Sequence, residues 1–247
     1  MIIKEEYPGF HFYIKGYSET AIGNILSGRH QVISEPLVIS EKIERNHLAS
    51  PYINNVIPIT RKIHWETKRG CPYTCGFCEW GNASQKKVYF LPFKRLKEEI
   101  LLFKSSNVQV INILDGTFNF GKNNEYDYVE ILEPVLKETN AHVSIQVRFE
   151  EIKDDQQSKR LIELCKRYKN RLTLEFGLQT IHPSEMDVIG RKNDLHHIRK
   201  IMKLLLKNRV NIEISIIYGI PGQTLVSFME TIEFALKINA KKYLLIH

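Results

Sequence analysis

No apolar run in the sequence approaches the roughly 20 residues that a helix needs to cross a bilayer. The first ten residues, Met1 to Phe10, carry Lys4, Glu5 and Glu6 and no apolar core, so they do not read as a secretory signal peptide. Both absences predict a cytoplasmic protein with no membrane partner. The formal charge is +7, yet no dense basic tract accompanies it. The Lys and Arg residues are spread over many predicted helix surfaces, which favours a solvated exterior over a nucleic-acid groove, with an anionic substrate or RNA as the minority reading. Cysteine is scarce, at 4 in 247 residues, and the chain is far longer than a small secreted domain, so no disulfide framework is expected. What remains, 43% hydrophobic and 26% charged residues, is enough for one large domain or a domain with a small appendage.

Three of those cysteines crowd into one loop, Arg69-Gly70-Cys71-Pro72-Tyr73-Thr74-Cys75-Gly76-Phe77-Cys78-Glu79-Trp80-Gly81. Thiolates spaced C-x3-C-x2-C and broken up by Gly and Pro can wrap around a single inorganic centre. A [4Fe–4S] cluster usually takes four thiolates, so a loop that supplies three leaves one iron open to a substrate or cofactor. A structural zinc site normally presents paired C-x2-C units or a C-x2-C with H-x3-H. No second pair exists here, and zinc would have to recruit the distant His64 or Cys165. Cys165 shares a helical face with Leu161, Leu164 and Tyr168 and reads as a core residue.

From residue 62 onward, strand-like runs alternate with helical ones. The strands are expected at Lys62–Lys68, Val108–Leu114, His142–Arg148, Leu172–Leu178, Asn211–Tyr218 and Lys242–Ile246. Helices are expected near 93–104, 126–138, 155–168, 194–208 and 224–238, with apolar faces such as Leu195, Ile198, Met202 and Leu205 at helical spacing. Pro92 suits a first helical turn, whereas Pro134 should kink or split its helix. Alternation of this kind implies right-handed βαβ units and a parallel sheet. Residues 1–60 read differently, as a short N-terminal extension and linker ahead of a core at 61–247. Phe10–Ile14 is strand-like, Thr20–Leu26 is a helix with Ser18 as N-cap and Gly28 as its stop, and His30–Pro58 has no convincing periodicity. The chain ends directly after the sixth strand, which predicts either a shortened gene product or a protein partner covering that strand's edge.

The cysteine motif, with Phe77 just before its last cysteine, resembles the signature of the radical S-adenosylmethionine (SAM) superfamily, and its spacing matches neither of the common ferredoxin patterns. The resemblance implies a partial (β/α)6 TIM-like barrel of the α/β class. In such barrels the chemistry sits at the C-terminal strand ends. Candidate polar residues follow each predicted strand. Asp115-Gly116-Thr117 matches the position of the motif that receives the methionine amino group of SAM, Glu175 and Gln179 resemble the ribose contacts, and Arg191 is similar to the Arg that pairs with the methionine carboxylate. Arg148 closes the third strand, and Gly219-Ile220-Pro221-Gly222-Gln223-Thr224 resembles the turn near the adenine, with Gln where Glu is usual. Taken singly, each has a plain structural reading: the glycines shape a turn, Asp115 caps one, and the arginines pair on the surface.

The implied activity is reductive cleavage of SAM at the cluster, giving a 5′-deoxyadenosyl radical that modifies an unidentified substrate, with a flavodoxin- or ferredoxin-like reductant. A degenerate cluster-binding subunit without turnover and a zinc-stabilised binding protein are the alternatives. The segment 15–28 is also similar to the tail of the cobalamin-binding domain found in one class of this family. The cobalamin-ligating D-x-H-x-x-G pattern is absent, however, since the nearest candidate, His11, has Gly9 in place of Asp; this speaks against cobalamin.

Overall fold

The computed structural model describes residues 5, 7–16, 18–29, 37–41, 48–78, 87–121, 127–238 and 242–246. The tail of the cysteine motif, Glu79 to Gly81, and most of 30–47 lie outside them. The chain divides into two compact units, Met1–Ala49 and Ser50–His247. In the first, strand β1 (Phe12–Gly16) pairs in parallel with β2 (Leu37–Glu41), and helix α1 (Glu19–Leu26) lies between them in sequence. The strand β2 sits where no periodicity was expected. Ser18 does not cap α1 with its side chain, because its backbone is already helical (φ −95°, ψ −11°) and its carbonyl accepts the Ile22 amide.

The second unit is built on a six-stranded parallel sheet in the order β10-β9-β8-β7-β6-β3. Its strands are β3 (Lys62–Trp65), β6 (Val110–Ile113), β7 (His142–Val147), β8 (Leu172–Gln179), β9 (Asn211–Ile217) and β10 (Lys242–Ile246). A short antiparallel ladder, β4 (Lys68–Arg69) with β5 (Tyr89–Phe90), takes Lys68, which was expected to end the first strand. Helices α2 (Phe93–Ser105), α3 (Tyr128–Glu138), α4 (Gln156–Arg167), α5 (Pro183–Val188), α6 (Leu195–Lys207) and α7 (Leu225–Lys237) alternate with the strands. This is the partial (β/α)6 barrel of the α/β class: each of the six strands sits beside its sequence neighbour in the sheet, which is left open between β3 and β10. Helix starts are fixed locally, with Asp127, Asp155, Asp194 and Thr224 each accepting a first-turn amide.

Pro134 lies inside α3 without splitting it. A proline inside a helix costs about 3 kcal/mol. Six side chains of α3, among them Tyr128, Ile131, Leu132 and Leu136, are buried. Full burial of each contributes about 1.5–3 kcal/mol, so packing outweighs the missing hydrogen bond.

The strands are one-sided. Along β8, Leu172, Leu174, Phe176 and Leu178 are fully buried, while Thr173, Glu175 and Gly177 remain partly open. Strand β9 repeats this, with Ile212, Ile214 and Ile216 buried between Asn211, Glu213 and Ser215. Parallel strands packed on both faces are usually apolar throughout. Here the alternation marks one face packed under helices and one polar, accessible face. The packed face is locked at β3, where the Trp65 indole N–H donates to Glu99 Oε2 (2.7 Å) and Phe103 meets the Trp65 ring edge-on at 5.6 Å. Cys165 is fully buried in α4, and burial pushes its thiol pKa well up, so it is the core residue that its helical face suggested.

Candidate active site

The loop between β4 and β5 carries the three cysteines to a cavity of about 250 Å³ on the polar face, at the C-terminal ends of the strands. Cys71, Cys75 and Cys78 are free thiols and all line it. So do Phe77, Gly116, Thr117, Arg148, Glu175, Gln179 and Arg191. Ten of the twelve residues proposed from sequence therefore meet in one place.

The cysteine loop is docked against the segment that follows β8. The Gly76 amide donates to the Ile189 carbonyl at 2.8 Å. Gly190 takes a left-handed turn (φ 61°) beside it, where a Cβ would come within 3.1 Å of the Thr74 carbonyl. The next residue is Arg191, so the same turn that holds the loop aims the guanidinium. Its Nη2 donates to the Gly177 carbonyl, and the side chain also hydrogen-bonds Cys75. Arg191 is only 7% exposed, and its Nε has no partner among the described residues. Burial lowers its pKa, and Arg148 pushes the same way.

Arg148 reaches the same sulfur from the other side. Its Nη1 lies 3.7 Å from Cys75 Sγ, its Nε donates to Glu150 Oε2 at 3.2 Å, and its guanidinium stacks 3.6 Å from the Tyr73 ring centre. Burial works against its charge, but Glu150, Tyr73 and Cys75 more than offset this and raise its pKa. Tyr73 in turn donates to Glu151. Behind it, the Asn119 side chain holds both the amide and the carbonyl of Arg148 at 2.9 Å. Two guanidiniums thus converge on one sulfur.

Gln179 closes β8 with a positive φ of 65°, after a register irregularity at the β8–β9 ladder. It is 5% exposed, and its Oε1 accepts no hydrogen bond among the described residues. Gly177 makes room for it: a Cβ there would stand 2.4 Å from Gln179 Nε2 and 3.2 Å from Arg191 Nη1.

Two expectations are corrected. Asp115 does not line the cavity. Its Oδ1 accepts the amides of Thr67 and Lys68 at 2.8 and 3.2 Å, and its Oδ2 accepts the Thr67 hydroxyl. With Lys68 buried beside it, the carboxylate is a structural tie between the loops after β3 and β6, and only Gly116 and Thr117 are presented to the cavity. Gly219 also lies outside the lining; its amide donates to Gln223 Oε1 at 2.8 Å within its own turn. Of the histidines, His182 contacts the Ser227 carbonyl and Glu230, and His197 contacts the Phe149 carbonyl, so neither is a bare surface group. Among the described residues no three His, Cys, Asp or Glu side chains are gathered closely enough to hold one metal ion. The thiols surround a cavity instead.

Sequence reading missed Gln146, Glu213 and Ser215, which also line the cavity. The strict alternation Asn211-Ile212-Glu213-Ile214-Ser215-Ile216 was the available signal, since polar residues recurring every second position in a parallel strand mark an open face.

The model of the Radical SAM superfamily matches residues 65–235. Two curated relatives are each 28% identical over 172 residues, covering 68% of this chain. They are a 2-(S-pantetheinyl)-carbapenam-3-carboxylate methyltransferase of Streptantibioticus cattleyicolor and the cobalamin-dependent radical SAM methyltransferase TokK of Streptomyces tokunonensis. The chain spans 24% of their length. Among solved structures, the cobalamin-dependent SAM radical enzyme OxsB shares the fold with a TM-score of 0.62 at 14% identity, over 88% of this chain and 34% of that one. With more than half of its length matched and its three-cysteine loop at the head of the sheet, the chain belongs to the radical SAM superfamily.

Proposed function

We propose that Cys71, Cys75 and Cys78 hold a [4Fe–4S] cluster, that SAM binds beside it, and that the protein is an enzyme cleaving SAM reductively. The observation that carries this is the meeting of three free thiols, two arginines and two unsatisfied buried polar atoms in one cavity. A buried donor or acceptor left without a partner costs about 1–3 kcal/mol, and a ligand that supplies the partner recovers it. When bound, the cluster supplies the electron that splits SAM into methionine and a 5′-deoxyadenosyl radical, which takes hydrogen from the substrate.

The chain's own residues have the following parts. Arg191 offers an unused Nε–H to the methionine carboxylate of SAM, for which a guanidinium suits a two-point grip. Gln179 Oε1 and the Glu175 carboxylate accept from the ribose hydroxyls, and Gly116 and Thr117 present backbone to the methionine end. Phe77 brings an apolar ring to the cavity wall beside the last cysteine. The 61–247 core does this work; we assign no cobalamin-binding residue to the chain and give 1–60 no part in the cleavage. A cytoplasmic flavodoxin or ferredoxin is the proposed electron donor.

The test is anaerobic reconstitution with iron and sulfide, followed by SAM and dithionite and chromatography for 5′-deoxyadenosine. The parent protein is expected to be coloured and to form the nucleoside; Cys75→Ala should lose both. A coloured protein that forms none would show a cluster subunit without turnover. A colourless protein that retains zinc would overturn the proposal.

A further inference from the structure

Strand β8 ends in a backbone shape that is costly for the residue placed there. Gln179 has φ 65°, and the Thr180 amide donates across it to the Leu178 carbonyl at 2.8 Å. This is a γ-turn of the positive-φ kind, which is rare and strained. Four non-glycine residues have a positive φ among the described residues, and of these Gln179 alone is buried; Asn55, Asn107 and Arg209 are exposed. Asn107 and Arg209 stand just past the ends of α2 and α6, where a left-handed residue commonly closes a helix. No helix end explains Gln179. Resting on the SAM reading above, we propose that Asn193, which does not line the cavity, is the positioning residue for Gln179: it staples the strained turn so that the Gln179 side-chain carbonyl meets a ribose hydroxyl of the ligand.

The Asn193 side chain straddles the turn. Its Nδ2 donates to the Leu178 carbonyl at 2.6 Å and to the Thr180 carbonyl at 2.9 Å, one on each side of Gln179. Only a donor can face two carbonyls, so the amide has one orientation. Asn193 is itself anchored, since its backbone amide donates to the Met186 sulfur at 3.4 Å. Beyond the turn, the Thr180 hydroxyl donates to the buried Glu185. The ladder slips here as well: Gly177 pairs with Ser215 and Gln179 with Ile216, so two residues of β8 advance against one of β9. Irregularities of this kind re-aim a side chain. That of Gln179 doubles back over Gly177, where a Cβ would stand 2.4 Å from its Nε2. Its Oε1 ends buried in the cavity wall with no donor among the described residues. Glycine would relieve the turn but would carry no acceptor. A backbone held in a costly shape, around an acceptor that the fold leaves unsatisfied, points to a ligand as the missing partner.

The experiment titrates SAM and its 2′,3′-dideoxy analogue into the reconstituted full-length protein by calorimetry. Both ligands share the methionine end, so whatever Arg191 contributes cancels in their ratio. We expect the parent to prefer SAM. Asn193→Ala should cut that preference about fivefold, the worth of one neutral hydrogen bond, with affinity for the analogue unchanged. Asn193→Ala placed on Gln179→Ala should change the preference no further. Asn193→Asp, which keeps the size but turns an acceptor toward two carbonyls, should not restore it. Melting curves of the unloaded protein read the staple without iron or SAM. Gln179→Gly should melt above Gln179→Ala, the reverse of the order at an ordinary position, and Asn193→Ala should lower the melting temperature less in the Gln179→Gly background than in the parent. This arm decides the staple even if Asn193→Ala takes up no cluster. Equal loss of affinity for SAM and analogue, or an unchanged preference, overturns the inference and leaves the SAM reading standing. So does a melting loss that is the same in both backgrounds. A parent that binds both ligands alike, or neither, overturns the SAM reading at Gln179 and the inference with it.

Discussion

The two ends of the cavity are built on opposite principles. At the cysteine end, both guanidiniums are already braced: Arg148 by Glu150, Tyr73 and Cys75, and Arg191 by Gly177 and Cys75, with its Nε left to spare. At the deep end, Glu175 and Glu213 face each other with only the Ser144 hydroxyl in support. A preorganised charge costs nothing to reorient when its ligand arrives, which suits a fixed cofactor. An uncompensated one is held in reserve for whatever enters. The difference separates charges that the fold has already braced from charges that it leaves facing one another.

The sharpest way to break the comparison is at Gly177, which sits between the two ends. Gly177→Ala drives a methyl into Gln179 Nε2 at 2.4 Å and crowds Arg191 Nη1 at 3.2 Å. Both obstacles are side-chain ends, so the fold should tolerate the change while the cysteine end loses its geometry. Loss of one charged hydrogen bond to SAM is worth about 2 kcal/mol, or roughly 30-fold in affinity. Calorimetric titration of SAM into the reconstituted variant reads this directly, with a melting curve alongside. Unchanged affinity would mean that SAM does not rest on Gln179 and Arg191.

Arg148 sharpens the cysteine end alone. A cation beside a cluster thiolate favours the reduced, more negative state, so Arg148→Met should lower the reduction potential. A tenfold shift in the one-electron equilibrium, about 59 mV, is the expected size. Redox titration followed by electron paramagnetic resonance measures it. A potential that stays put would reduce Arg148 to a packing residue for Tyr73.

This division of labour was partly legible before any coordinates. The three cysteines and the six strand-like runs were readable because spacing and periodicity are local properties of the chain. Asp115 was misread, because its environment is assembled from Thr67 and Lys68, 48 and 47 residues away, and no local pattern discloses that a carboxylate will be met by two amides and a hydroxyl. Pro134 stands inside an unsplit α3 for a similar reason: the packing that offsets its local cost comes from the rest of the unit. Glu213 is a different case. Its alternation with isoleucines was in plain view along β9, but candidates were sought after each expected strand, and Glu213 lies within one.

The smallest expected effect tests the deep end without any ligand chemistry. The Glu175 pKa is raised in the fold above its ordinary 4.5, by burial and by Glu213. A raised carboxyl pKa means that the folded state holds the proton more tightly. Its stabilising contribution is therefore fully present below pH 4.5 and is lost as pH rises through the folded value. Glu213→Gln removes the like charge, so the Glu175 pKa should fall back toward the level set by burial and Ser144. The variant and the parent should then melt alike in acid and diverge toward neutral pH, with the variant the more stable. Partial solvation of Glu175 keeps the gap to a few degrees at most. A gap of the opposite sign, with the parent more stable at neutral pH, would show that Glu213 is already paired within the fold.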